Sequence, residues 1–180
     1  VTDVSADQLE VIFPPERIAA RIHEVARMIS ATGIERPLVI AILKGSFVFA
    51  ADLIRALHVA GLAPEVDFMT LSSYRKHTVS SGSVEILRDL ETDVRGRNVL
   101  IVDDILESGR TLAFAKDLIT ARGAASVRTC VLLVKAVPRA VNVTADFSCF
   151  DCPNEFVVGY GMDVAHRFRE LPFVGRMVGT

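Results

Sequence analysis

Asp103, Asp104, Glu107, Ser108, Gly109, Arg110 and Thr111 stand within one short stretch of the chain. Two adjacent carboxylates, a third acid, two hydroxyls, a glycine and a guanidinium are the donors and acceptors that a phosphorylated sugar calls for. The backbone N–H groups of a helix's first turn have no intrahelical partners and bind anions. If Glu107 to Thr111 form the turn that opens a helix, Ser108 and Thr111 add hydroxyl donors and Arg110 adds charge. Gly109 lets the backbone come close to a ligand. That set is a phosphate cradle. Carboxylates accept hydrogen bonds and ligate hard cations, so Asp103 and Asp104 suit ribose hydroxyls or a hydroxyl-bound Mg²⁺. The G-x-x-x-x-G-K-[ST] pattern is absent, so this is not a Walker loop. Acids that merely cap a helix and face water would account for the same residues with no chemistry at all.

The elements around this stretch have to bring it to one place. Val99 to Val102, with Asn98 ahead, is a short apolar run rich in β-branched residues and predicts a buried strand. Leu112, Ala115, Leu118 and Ile119 then recur at helical spacing, in a helix reaching about Arg122 with Gly123 after it. A strand, an acidic pair, a polar loop and a helix form a nucleotide-site layout, because ligands of open α/β sheets sit at the carboxyl ends of the strands. Pro37 to Leu43 predicts another buried strand, running into Lys44-Gly45-Ser46 and a helix through Phe49, Leu53, Ile54 and Leu57. Glu65 to Leu71 and Val127 to Val134 read as further strands, the latter delivering Lys135 at its carboxyl end. Ser72 to Ser83 is polar and hydroxyl-rich without useful periodicity, and Val84 to Leu87 reads as its returning strand. Near the start, Leu9, Val11 and Phe13 alternate as in an edge strand. Pro14-Pro15 then opens a helix with Ile18, Ile22, Val25, Met28 and Ile29 on one face and Gly33 at its end.

Composition narrows the class. A chain of 180 residues with 51% hydrophobic content is most simply one domain, residues 1–180, with a substantial core. A net charge of −2 gives no electrostatic case for nucleic acid or for an acidic membrane surface. No apolar run reaches membrane-spanning length and the first residues carry no basic-then-apolar signal pattern, so the expectation is a cytoplasmic protein. Three cysteines, Cys130, Cys149 and Cys152, are an odd number and argue against a disulfide framework. Cys149 and Cys152 spell C-x-x-C, yet no second ligand pair stands at zinc spacing, and Pro153-Asn154 follows where a redox dithiol would open a helix. They read as structural, and the scattered histidines (His23, His58, His77, His166) read as surface residues.

The run VLIVDDILESGRTL resembles the phosphoribosyl-diphosphate signature of type I phosphoribosyltransferases, and most of all its hypoxanthine-guanine branch. The resemblance covers roughly residues 37–177 and implies an α/β fold: a five-stranded, mainly parallel twisted sheet flanked by helices. A small hood, built by about 1–13 and 147–180, would cover the purine. It implies that Asp103, Asp104, Ile105, Leu106, Glu107, Ser108, Gly109, Arg110 and Thr111 bind the phosphoribosyl group and its 5′-phosphate. Lys44, Gly45 and Arg169 would bind pyrophosphate, with the Leu43–Lys44 peptide in cis. Lys135 would donate to the exocyclic oxygen of a 6-oxopurine, alongside Glu155, Phe156, Val157 and Asp163 in the purine site. Phe156 would stack on the base and the Val157 main chain would read its edge. Asp163 would bind Mg²⁺, the implied cofactor. Ser73 and Tyr74 match the Ser-Tyr pair of a lid that excludes water from the activated ribose. Family members are usually dimers or tetramers, so a homodimer or homotetramer acting on small molecules is expected, with neither nucleic acid nor membrane as partner.

Two departures stand out. Asp103-Asp104 occupies a place where the family often has Glu-Asp, and Glu107 stands where the hypoxanthine-guanine branch usually has an aspartate. That acid is assigned as general base for the imidazole nitrogen that does not attack; a glutamate keeps the chemistry and reaches one methylene further. Among rivals, a regulator that keeps the site as a nucleotide sensor would show a basic surface or an added nucleic-acid module. A phosphoacceptor receiver would carry its aspartate pair after the first strand, not mid-chain beside a phosphate loop. Preference for xanthine turns on groups facing the purine's second carbon, which are largely main chain.

Overall fold

The computed structural model describes residues 9–73 and 84–178. In chain order the elements begin with strand β1 (Leu9–Phe13), helix α1 (Pro15–Ala31), strand β2 (Leu38–Leu43), helix α2 (Phe47–Val59) and strands β3 (Glu65–Ser73) and β4 (Val84–Arg88). There follow β5 (Asn98–Leu106), α3 (Arg110–Ala121), β6 (Ser126–Lys135), β7 (Phe147–Cys152), β8 (Val157–Val158) and β9 (Val174–Met177). The main sheet has six strands in the order β4-β3-β2-β5-β6-β7, all parallel except β4, which runs antiparallel to β3.

Alternation along the central strands divides the core into two layers. Val39, Ala41, Leu100, Val102, Cys130 and Leu132 face α1 and α2. Leu38, Ile40, Ile42, Val99, Ile101 and Val131 face α3, which presents Leu112, Ala115 and Ile119 to them. α1 begins with Pro15 at a position whose N–H would be unpaired in any case, and it buries Ile18, Ile22, Val25, Ala26 and Ile29 as one stripe. The three cysteines are free thiols buried in this core, and burial pushes each thiol pKa up, which suits a structural role. No helix among the described residues is long and apolar enough to cross a membrane.

The hood is a separate three-stranded sheet, β1-β9-β8, with Leu9 opposite Met177 and Val157 opposite Arg176. It is smaller than the sequence predicts. Phe147 to Cys152, expected there, instead extends the main sheet as a sixth strand, parallel to β6 from Cys130↔Phe147 to Lys135↔Cys152. The cause is packing on α1. Arg21 donates to the carbonyls of Cys149 (2.9 Å) and Ser148 (3.1 Å), while Phe147 and Cys149 turn inward to the α1 side of the core. Phe13 stacks on Phe150 with ring centroids 4.4 Å apart, joining hood to sheet edge. Residues 1–8 of the expected hood lie outside the described residues.

Asp67 shows how the sheet's far side is tied down. Its carboxylate accepts the backbone N–H of Phe68 (2.7 Å), Glu91 (3.0 Å) and Thr92 (2.9 Å), stapling the 89–94 connection to β3. Burial raises its pKa, but the hydrogen bonds from Thr92, Phe68 and Glu91 win, so the group lies below its ordinary 3.8. Its stabilisation is therefore complete above that ordinary value and fades as pH falls through the lowered one. Asp67→Asn is expected to cost about 1–3 kcal/mol at pH 7. Urea denaturation of both forms should show the gap closing as pH drops below 3.8.

Candidate active site

β5 does not stop before its acids. It continues through Asp103 and Asp104 to Leu106, pairing Asp103 with Val131 and Leu106 with Val134 of β6. The carboxylates are thus carried by a strand at the sheet's centre. Asp104 N–H donates to Asp103 Oδ1 at 3.0 Å, and Ile105 N–H to Asp104 Oδ1 at 2.8 Å. Burial pushes the Asp103 carboxyl well above its ordinary value, and the neighbouring Asp104 carboxylate adds to the shift. Burial also raises Asp104, opposed by hydrogen bonds from the Asp103 side chain and Ile105 N–H and by the charge of Arg169. Such a pair favours any positive charge brought near it.

Glu107 to Gly109 leave the strand and α3 begins at Arg110. Ile42 to Gly45, Leu71, Asp103 to Gly109, Thr111 and Leu112 enclose a cavity of about 250 Å³. Gly109, Thr111 and Leu112 bring the start of α3 into its wall, the place a phosphate cradle requires. A second cavity of about 480 Å³ adjoins it. The two share Leu43, Lys44, Gly45, Leu71, Asp104, Ile105 and Glu107, and the second adds Lys135, Phe156, Val157, Asp163 and Arg169.

Parallel pairing explains the contact at the heart of the second cavity. β5 and β6 end level with one another, so the residues just beyond Leu106 and Val134 come off side by side. Lys135 Nζ lies 3.5 Å from Glu107 Oε2, the lysine buried and the glutamate partly open. Phe156 lines the same cavity with 55% of its surface exposed, an aromatic face without an apolar cover. Arg169 spans the third side. Its Nη1 donates to Gly161 O at 2.7 Å and its Nη2 sits 2.8 Å from Asp163 Oδ1, while Asp163 Oδ2 accepts His166 N–H at 2.7 Å.

The Leu43–Lys44 peptide is cis, as the resemblance implies. Gly45 follows, and a Cβ there would lie 1.7 Å from Asp104 Oδ2, so any larger residue has to displace that carboxylate. Two expected site residues are not among the walls of these cavities. Glu155 Oε1 pairs with Arg176 Nη1 at 2.5 Å, and Arg176 Nη2 with Glu10 at 2.7 Å, so the Glu155 side chain braces the hood and does not line these cavities. Arg110 opens α3 and is likewise absent from both walls. Ser73 closes β3, and Tyr74, the other lid residue, lies outside the described residues. Thr70, Leu71, Ser72, Leu87 and Met162 also wall the second cavity, and no motif in the sequence marks them.

A cavity with a phosphate cradle at one end and an open aromatic ring beside a buried lysine at the other defines a class, nucleotide-forming transferases on a parallel sheet. The phosphoribosyl transferase domain family matches residues 9–165. The hypoxanthine phosphoribosyltransferase of Escherichia coli K12 is 44% identical over 174 residues, covering 94% of this chain and 96% of that protein. The hypoxanthine-guanine phosphoribosyltransferase of Streptococcus agalactiae serotype V is 40% identical, covering 94% and 93%. The crystal structure of a hypoxanthine-guanine phosphoribosyltransferase from Bacillus anthracis matches with a TM-score of 0.86 at 40% identity, covering 94% and 98%. The chain belongs to the phosphoribosyltransferase family. Within it, the chain groups with the hypoxanthine-guanine enzymes, and it is a pentosyltransferase.

Proposed function

We propose that the chain transfers the 5-phosphoribosyl group from 5-phosphoribosyl 1-diphosphate to hypoxanthine or guanine. The products would be IMP or GMP and pyrophosphate, in purine salvage. The Lys135–Glu107 pair beside Phe156 is the observation that carries this reading. A lysine only donates hydrogen bonds, so its ammonium rewards the exocyclic oxygen of a 6-oxopurine and opposes the amino group of adenine. Glu107, joined to it, stands where a carboxylate can take the proton on the imidazole nitrogen that does not attack. As the other nitrogen bonds to the ribose carbon, the bond from that carbon to pyrophosphate breaks. Positive charge building on the ribose meets Asp103 and Asp104 below it. Lys44 and Arg169 offset charge on the leaving pyrophosphate, and the cradle from Glu107 to Thr111 fixes the 5′-phosphate and with it the geometry of attack.

The residues present fit a hard divalent cation. No group of three or more ligating side chains occurs among the described residues, and the acids offered are Asp163 on one side and Asp103 and Asp104 on the other. Mg²⁺ takes one or two carboxylates and fills its shell with substrate oxygens and water, so this donor set suits it. Asp163 would hold it, and bound there it would neutralise pyrophosphate charge. The proposed assembly is a homodimer or homotetramer, which light scattering reads directly.

Stoichiometric release of pyrophosphate and nucleotide from 5-phosphoribosyl 1-diphosphate, Mg²⁺ and hypoxanthine tests the reaction; tight nucleotide binding without turnover would support a sensor instead. Gly45→Ala should push aside the Asp104 carboxylate and lower kcat/KM for the diphosphate substrate by about 100-fold. Steady-state kinetics with that substrate varied would check it.

A further inference from the structure

Tyr160 and Asp52 face each other across the seam between the hood and the main domain, outside both cavity walls. Tyr160 is buried, and its hydroxyl donates to Asp52 Oδ2 on the second turn of α2. Asp52 Oδ1 is held in turn by the Arg55 guanidinium. Tyr160 keeps its proton, since burial and then the Asp52 carboxylate raise its pKa, so it remains a donor. Its backbone is unusual: φ is +51° at Tyr160, between Gly159 at +94° and Gly161 at +100°. A left-handed conformation disfavours a large side chain and persists only where surroundings hold it. Here the backbone is fixed on one side by Tyr160 N–H to Leu171 O (2.9 Å) and Gly161 N–H to Arg169 O (3.0 Å), and the side chain by Asp52.

What the turn touches gives the bond its consequence. A Cβ on Gly161 would lie 2.3 Å from Gly45 O and 3.5 Å from Val48 Cβ, so the hood turn rests directly on the Lys44-Gly45 loop. Gly161 O in turn receives Arg169 Nη1, and Arg169 Nη2 reaches Asp163. A continuous line of contacts therefore runs from Asp52 through Tyr160 and Gly161 to Arg169 and Asp163. α2, which anchors it, starts three residues after Lys44, with Phe47 N–H on Lys44 O at 3.2 Å.

We infer that Tyr160 and Asp52 are positioning residues, whose hydrogen bond sets Arg169 and Asp163 against the Lys44-Gly45 loop so that the two halves of the pyrophosphate site close at the correct separation. This rests on the reaction proposed above and adds to it two residues that touch no substrate. The purine side, Lys135 and Phe156, lies off this line and should be indifferent to it.

The test uses the full chain with Tyr160→Phe, Asp52→Ala, Asp52→Asn and the Asp52→Ala/Tyr160→Phe double variant. Binding of 5-phosphoribosyl 1-diphosphate with Mg²⁺ is measured by calorimetry, which needs no turnover, and both Michaelis constants are measured besides. Tyr160→Phe and Asp52→Ala should each weaken diphosphate-substrate binding by about tenfold, the loss expected when a charged hydrogen bond to phosphate slips. The KM for hypoxanthine should stay within about twofold. The double variant should be no worse than either single one, because both remove the same bond. Asp52→Asn keeps an acceptor for the tyrosine hydroxyl and should recover most of the binding. Variants that lose melting temperature yet bind the diphosphate substrate as wild type does would overturn the inference, as would equal losses for both substrates. A wild-type protein that binds this substrate but turns over no purine would sink the proposed reaction, while the binding ratios still decide the positioning role.

Discussion

Glu107→Gln is expected to slow the chemical step by about 10²- to 10⁴-fold, the usual contribution of a positioned general base. The substitution is nearly isosteric and leaves an amide oxygen to accept from Lys135, whose Nζ stands 3.5 Å from Glu107 Oε2 in the native protein. The lysine therefore keeps a partner, and the cavity keeps its shape. Only the capacity to take a proton goes. Purine KM should move little, and the loss should fall on the single-turnover rate, which separates chemistry from product release. Glu107→Asp retains the carboxylate with one methylene less, and should keep far more activity than the glutamine variant. An unchanged single-turnover rate in Glu107→Gln would remove this residue from proton transfer.

Lys135→Ala should lower kcat/KM for a 6-oxopurine by about 10- to 100-fold, the worth of a hydrogen bond to a charged group, with a much smaller change in KM for the diphosphate substrate. Two effects combine. The base loses the donor that reads its oxygen, and Glu107 loses the cation beside it. Because Lys135 is only 8% exposed, water is poorly placed to substitute for it. Relative use of adenine should rise, since the penalty against its amino group leaves with the ammonium. Steady-state kinetics with each substrate varied in turn decides the matter, and equal losses in both Michaelis constants would contradict the assignment.

Strand ends were legible in the sequence because a buried parallel strand is a near-continuous apolar run, and the first polar residue after it marks the carboxyl end. Lys44 and Lys135 are found that way, whereas β5 runs on past Asp103 to Leu106; all three residues line the joined cavities. The hood was less legible. Phe147 to Cys152 mixes aromatic, thiol and polar residues that either sheet could take, and Arg21, far away in the chain, settles it by holding the Ser148 and Cys149 carbonyls. The resemblance puts Glu155 in the purine site, and the fold pairs its side chain with Arg176 on a distant strand. The turn from Gly159 to Phe168 carries positive φ at Tyr160, Ala165, His166 and Phe168, which side-chain periodicity does not register. The sixth strand and the Glu155 pairing arise from contacts between segments remote in sequence, whereas the turn also closes on itself through Gly159–Met162 and Val164–Arg167 hydrogen bonds.

Consumption of hypoxanthine, guanine, xanthine and adenine, each with 5-phosphoribosyl 1-diphosphate and with or without Mg²⁺, decides whether this site makes purine nucleotides. Mg²⁺-dependent turnover of hypoxanthine or guanine, with adenine inert, is the expected result. Xanthine as the best substrate would keep the mechanism and shift the specificity. Adenine consumed as fast as hypoxanthine, or no base consumed at all, would contradict it.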